Sequence, residues 1–314
     1  MLADIQYAPI PDGHSFGGSP RFYRHSLNVA RDAAKHFQDC KVDLMVNLGD
    51  IVDGKCQDIA LYGGDALPDN VDPGDKCIED VLEALGQYTN GPTLHSYGNH
   101  CLYNLSRERL QQRLGIPFTQ EPCGDLVGYS VSQCYHNTRF VLLDSYDIAL
   151  MRRCETTSQK YQQATEILKA NNPNFHDNEN SPEGMEGIDK RFVAFNGGVG
   201  QVQLQWLQRT LEESRRNDEK VIVLSHQPIL PDSSGSVCLI WNYEEVLSVL
   251  REYSDVVVAS LSGHAHKGGY KRDEESGIHF RVVEAALESF PAKTYAIVDV
   301  HEKCMSIRGF GDCA

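Results

Sequence analysis

Five short clusters in this chain gather carboxylate, amide and imidazole groups. In order they are Asp4-Ile5-Gln6, Gly49-Asp50-Ile51-Val52-Asp53, Gly98-Asn99-His100, Ser225-His226-Gln227-Pro228 and Gly263-His264-Ala265-His266. Oxygen and neutral imidazole are ordinary ligands for divalent ions. A carboxylate such as Asp50 can serve two ions, one through each oxygen, and Gly49 before it permits a tight turn close to them. Two ions held about 3.5–4 Å apart form a device for cleaving phosphoesters.

His264 and His266 stand at i and i+2 beyond an apolar run, so they are expected on one side of a pleat, serving adjacent ions. Asp4 and Gln6 share that spacing in a segment that reads as extended. Asn99 offers an amide oxygen, and His100 beside it suits a leaving-group acid or a phosphate contact. Each cluster alone has an ordinary explanation: a turn aspartate, a surface histidine pair, a packing histidine. Five in one chain, most at the ends of apolar runs, favour a shared site. The other histidines, His14, His25, His36, His95, His136, His176, His279 and His301, are read as surface or packing residues.

The elements that carry these clusters alternate between helix and strand. Helical spacing of apolar residues is expected over Phe22–Phe37, Cys77–Tyr88, Ser106–Leu114, Thr156–Ala170, Gln201–Arg216 and Tyr243–Tyr253. Strands are expected at Val42–Leu48, Thr93–Tyr97, Lys220–Leu224 and Val256–Ser260, with late strands at His279–Glu284, Thr294–Val300 and Cys304–Gly309. Gly128–Gln133 and Thr138–Leu143 read as a hairpin pair. Gly63–Gly74 reads as a turn-rich insert and Asn171–Ser181 as a polar loop. The expected fold is α/β, with two packed mixed β-sheets flanked by helices in one domain spanning 1–314.

Composition narrows the function. The chain has 314 residues, 41% hydrophobic and 23% charged, which suffices for a large core without crosslinks. Its net charge of −15 argues against a nucleic-acid-binding surface but not against a phosphorylated substrate, because bound cations invert the local field. Ten scattered cysteines contain no Cys-x-x-Cys pair; most are expected to be buried small hydrophobes in a reducing compartment. No run is long enough to span a membrane and no signal peptide is evident, so a cytoplasmic enzyme is expected.

The ordered set Asp-x-Gln, Gly-Asp-x-x-Asp, Gly-Asn-His, Ser-His-x-Pro and Gly-His-x-His resembles the calcineurin-like metallophosphoesterases. Gln6, where most of them carry histidine, matches the manganese-dependent ADP-ribose/CDP-alcohol diphosphatases. So do Asp12-Gly13, Arg21 to Ser26, Tyr103-Asn104, Arg191-Phe192-Val193, Phe195 to Gly198 and Trp241-Asn242-Tyr243. The resemblance implies one ion on Asp4, Gln6, Asp50 and His266 and a second on Asp50, Asn99, His226 and His264. It also implies that His100 acts beside the scissile phosphate, and that Phe16, Arg21, Phe195 and Cys238 line the substrate pocket. A neutral amide oxygen in place of imidazole makes the first site harder, so manganese is the expected metal, with magnesium, iron or zinc as alternatives.

Three departures from the family pattern carry expectations of their own. The first strand reads as truncated, which would leave Asp4 and Gln6 loosely held. Cys101 follows His100 where an acidic residue is usual, so the surroundings of His100 are expected to differ. The Cys56–Cys77 segment reads as longer, and no pocket contacts are carried over there.

The implied reaction is hydrolysis of the diphosphate of ADP-ribose or a CDP-alcohol, releasing a nucleoside monophosphate, by a monomer acting on small nucleotides without nucleic-acid or membrane partners. Two alternatives stand beside it. One keeps the site but takes phosphoproteins or cyclic nucleotides; the other is an inactive scaffold.

Overall fold

Val29, Ala30, Ala33, Ala34 and Phe37 recur at helical spacing and form the buried face of α1 (His25–Asp39). The structure, a computed structural model, describes residues 1–15, 17–58, 71–117, 119–133, 135–302 and 304–313. The Gly63–Gly74 insert falls mostly outside these residues, and Phe16 falls outside them altogether. Ahead of α1 lies a short antiparallel ladder of β1 (Gly13–His14) and β2 (Pro20–Arg21). The helix expected from Phe22 therefore starts later, because Pro20-Arg21 pairs as a strand.

After α1 come β3 (Met45–Asn47), α2 (Pro73–Leu85), β4 (Thr93–His95), α3 (Asn99–Asn104) and α4 (Arg107–Leu114). A second small ladder, β5 (Thr119–Gln120) with β6 (Leu126–Val127), precedes the hairpin of β7 (Ser130–Val131) and β8 (Thr138–Leu142). Then follow α5 (Gln159–Asn171), α6 (Phe175–Asn178), α7 (Gln201–Arg216), β9 (Lys220–Leu224) and α8 (Tyr243–Glu252). The chain closes with β10 (Val257–Ser262), β11 (Gly269–Arg272), β12 (His279–Val282), β13 (Tyr295–Val300) and β14 (Met305–Phe310).

Two mixed sheets result. The first has the order β11-β12-β10-β9-β8-β7, parallel in the middle and antiparallel at both edges. In the second, residues Met1–Ala3 lie between the β13–β14 hairpin and the parallel pair β3–β4. Met1 and Ala296 exchange backbone bonds of 2.7 and 3.0 Å, while Leu2 N–H donates to Val46 O and Leu48 N–H to Leu2 O, both at 2.9 Å.

The alternation along β9 shows how the layers stack. Ile222 and Leu224 face the interior between the sheets, with Val46, Leu48, Leu142 and Leu261. Val221 and Val223 face the other way, onto Leu204, Leu207 and Leu211 of α7 and Val246 and Leu250 of α8. The helices α1 and α2 cover the far face of the second sheet around Leu2, Met45 and Ile297. Each such side chain, fully buried, contributes roughly 1.5–3 kcal/mol. The expected two-sheet sandwich flanked by helices is what forms.

Some local readings change. Asn99–Asn104, read only as a cluster after a strand, is a helix too short for its periodicity to register. The polar loop Asn171–Ser181 contains the helical turn α6. Of nine described cysteines only Cys56, Cys77, Cys101 and Cys313 are buried, so most are not. Among the described residues no helix is long and apolar enough to cross a membrane.

Candidate dinuclear metal site

The clusters converge where strands stop pairing. Beyond β3 the chain turns at Gly49, whose φ is +103° and whose Cβ, if present, would lie 2.4 Å from His226 Nδ1. Gly98 is equally constrained, since a Cβ there would meet Asp50 Oδ1 at 2.0 Å. His226 follows β9 and His264 follows β10; Asn99 opens α3 just beyond β4.

The backbone at the ligands is not extended. Asp4, Gln6, Asp50 and His264 have φ of 49°, 41°, 51° and 66°. Residues held in the left-handed region cost of order 1–3 kcal/mol each unless their surroundings enforce it. The enforcement is visible: Asp4 N–H donates to Gly49 O, Gln6 N–H to Asp50 O and His264 N–H to Asp4 Oδ2. The backbone at these positions is therefore left-handed rather than pleated, yet Asp4 and Gln6 both reach His266 Nε2, at 3.5 and 2.9 Å. Asp4 and Gln6 are also not loosely held; they are 0% and 1% exposed.

Asp50 sits at the centre. Its Oδ1 accepts the His100 N–H at 2.8 Å from the first turn of α3, a position that favours a negative charge. Its Oδ2 lies 3.3 Å from Gln6 Nε2 and 3.3 Å from His226 Nε2. Asp50 would thus offer Oδ2 to the surrounding side chains while Oδ1 is engaged by the start of α3.

Each of the three histidines is gripped from behind. His226 Nδ1 is 2.7 Å from Leu48 O, His266 Nδ1 is 2.7 Å from Glu288 Oε1, and His264 Nε2 is 2.8 Å from Asn196 Oδ1. Those bonds fix which nitrogen faces inward, as outer partners of metal-binding histidines do. The inward atoms are His226 Nε2, His266 Nε2 and His264 Nδ1, and ligand atoms of Asp50, His226 and His264 lie within 4.8 Å of one another. With His264 Nδ1 only 3.2 Å from His226 Nε2, two lone pairs would face each other unless a positive charge sits among them.

The first half of the site shows the same need. Asp4 Oδ1 and Gln6 Oε1 are buried acceptors with no hydrogen-bond partner. Gln6 Nε2 stands 2.9 Å from His266 Nε2, and a half-turn of the amide would put Oε1 in that place. Two orphaned oxygens, inward nitrogens and a central carboxylate fit divalent cations.

Electrostatics in the metal-free protein agree. Burial alone would raise Asp50, but the charges of His226 and His100 outweigh it and hold the carboxyl far below its usual range. Asp4 is lowered in the same way by His266 against its burial. Burial, helped by the charge of His226, pushes His264 down to about 3. His266 goes the other way, up to about 9, because Asp4 and Glu288 overcome its burial.

At the edge of the site, Asp53 Oδ2 lies 3.2 Å from His100 Nδ1 and 3.5 Å from Arg21 Nη1. Asp53 thus supplies the acidic neighbour that Cys101 does not; Cys101 Sγ instead accepts the Ile51 N–H at 3.3 Å. Arg21 engages Asp53 and keeps a buried Nε without a partner. The Phe195 ring centre is 5.8 Å from that of His264, and Cys238 is half-buried with its thiol pushed up to about 12 by burial and the charge of Asp4. Asn99 joins through Tyr146, whose hydroxyl donates to Asn99 Oδ1 at 3.2 Å. The sequence reading assigned no role to Asn196, Glu288, Tyr146 or Asp53. Only Asn196 and Asp53 lay within quoted motifs; nothing local marked the other two. A cavity of about 1000 Å³ under the β13–β14 hairpin shares no lining residue with this cluster.

The family model for calcineurin-like phosphoesterases matches residues 2–268. A rice protein named manganese-dependent ADP-ribose/CDP-alcohol diphosphatase is 40% identical over 297 residues, covering 93% of this chain and 84% of its own. A human protein of the same name is 34% identical, covering 99% and 89%. The crystal structure of a dimetal phosphatase from Danio rerio superposes with a TM-score of 0.88 at 33% identity, covering 99% of this chain and 95% of that one. The chain belongs to the calcineurin-like phosphoesterase family, within the group named for manganese-dependent ADP-ribose/CDP-alcohol diphosphatases.

Proposed function

We propose that this protein hydrolyses the diphosphate bond of ADP-ribose and CDP-alcohols with two manganese ions, releasing the nucleoside monophosphate. One ion is assigned to Asp4, Gln6, Asp50 and His266, the other to Asp50, Asn99, His226 and His264. The observation that carries the assignment is the set of three histidines, each held from outside, with His226 and His264 turned inward beside Asp50 and His266 turned onto Asp4 and Gln6.

When bound, a pair of divalent ions makes water acidic enough to act as a nucleophile near neutral pH and stabilises charge on the phosphate. The chain's own residues do the rest. Asp50 is common to both ion sites and cannot leave without emptying them. His100 Nδ1 accepts the Gly54 N–H at 3.0 Å, which leaves Nε2 to hold or donate a proton at the leaving phosphate oxygen. Arg21 has an unused buried donor for a phosphate oxygen. Phe195 offers a ring face beside His264 for a base.

The reading includes a monomer in the cytosol that acts on small nucleotides and does not bind nucleic acid. The net charge of −15 supports the absence of nucleic-acid binding, and described cysteines without a disulfide accord with a reducing compartment. Product analysis on ADP-ribose, CDP-choline and a phosphopeptide, with manganese and with chelator, tests it. Formation of AMP and CMP that requires manganese is expected. Preference for the phosphopeptide, or turnover indifferent to chelation, would sink it.

A further inference from the structure

Six residues make α3 too short to hold its shape unaided, yet its first turn carries Asn99 and His100. Its last carbonyls also have no partners within the helix. Arg152 supplies them: Nε donates to Leu102 O at 2.7 Å, and Nη2 donates to Tyr103 O at 2.7 Å and Asn104 O at 2.8 Å. On the same loop, Tyr146 OH donates to Asn99 Oδ1 at the other end of the helix. A single loop, 144–153, grips both ends of α3.

The loop is itself fixed. Asp144 accepts bonds of 3.0 Å from Arg107, from Gly128 N–H and from Tyr146 N–H, and Arg107 also donates to Tyr146 O. Arg153 donates to Asp147 O at 2.8 Å and Leu126 O at 2.7 Å. Arg152 adopts a φ of +52°, a conformation an L residue keeps only when its surroundings demand it. At the far end of the helix, Asn104 Nδ2 donates to Asp53 O at 2.7 Å and to His100 O at 2.8 Å. The helix is therefore tied to the segment that also backs His100.

We infer that Tyr146 and Arg152 are positioning residues, the first for Asn99 and the second for His100. A hydroxyl that donates selects the oxygen of the Asn99 amide and leaves that oxygen's second lone pair for an ion. Without it the amide can rotate and present its NH₂ group, which repels a cation. Arg152 acts at the opposite end, where it stops the short helix from fraying and so fixes the place of His100. The inference rests on the dinuclear reading above.

Tyr146→Phe and Arg152→Ala separate the two roles in the full chain, by manganese titration calorimetry and by kcat and KM on ADP-ribose. Tyr146→Phe is expected to weaken one of the two manganese-binding steps about tenfold and leave the other unchanged. Arg152→Ala is expected to keep both binding steps and lose about tenfold or more in kcat with little change in KM. Arg152 is exposed, so its truncation opens no hole in the core, and added guanidinium ion should restore part of the lost kcat. Wild-type manganese affinities in Tyr146→Phe overturn the first assignment. Wild-type kcat in Arg152→Ala, or a loss that guanidinium does not relieve, overturns the second. The manganese titration needs no substrate, so failure of the wild-type protein on ADP-ribose would strike the proposed reaction and leave the Tyr146 result standing.

Discussion

The two halves of the proposed metal site are made of different materials. Asp4, Gln6 and His266 present mostly oxygen, and in the metal-free protein Asp4, 3.5 Å from His266 Nε2, and Glu288 hold a proton on His266 up to about pH 9. Asn99, His226 and His264 present mostly nitrogen, and His264 stays neutral down to about pH 3. The first half is an anionic cage that must fill with positive charge. The second pairs a neutral imidazole, His264, with His226, whose proton the Asp50 carboxylate favours against burial. Hard ions suit the first more than soft ones, whereas imidazoles accept a wider range.

Asp50 is assigned to both halves in the proposed site, so its loss should erase any difference between them. Asp50→Ala is expected to lower kcat with manganese by about a thousandfold or more and to empty both sites together. Turnover at the wild-type rate with manganese would remove Asp50 from its central place.

A smaller change should touch one half only. Glu288→Gln removes the charge behind His266 Nδ1 but keeps a hydrogen-bonding group. One manganese-binding step should weaken about tenfold while the other holds. Equal weakening of both steps would mean that the halves do not differ as described.

The smallest effect is on stability. His266 is raised to about 9 in the folded chain from an ordinary 6.5, so its contribution is complete below pH 6.5 and is lost as pH climbs through 9. For chelator-treated protein, Tm should fall by roughly 5 °C between pH 6.5 and 9.5. Manganese should flatten that slope by taking the proton's place. A level profile without metal would show that His266 is not kept as a cation.

The sequence exposed the converging clusters because their types and order are rare in combination, and it exposed the sandwich because strands such as Val221–Leu224 are apolar on both faces. What it hid follows from three physical causes. Rules of spacing assume regular backbone, and Asp4, Gln6, Asp50 and His264 sit where the backbone is irregular. The outer supports of the histidines come from residues far away in the chain: Leu48 lies 178 positions from His226 and Asn196 lies 68 from His264. No local window contains both members of such a pair. Helix α3 was missed for a third reason, since six residues complete fewer than two turns.

The left-handed turns at those four ligands also bear on how such a site decays. Alanine in place of any of them would keep the awkward bend and lose the group that justified it, whereas glycine would relax the bend at once. A chain drifting away from catalysis can therefore gain robustness by the same substitutions that disarm it, so this scaffold resists loss of activity less than it resists loss of shape.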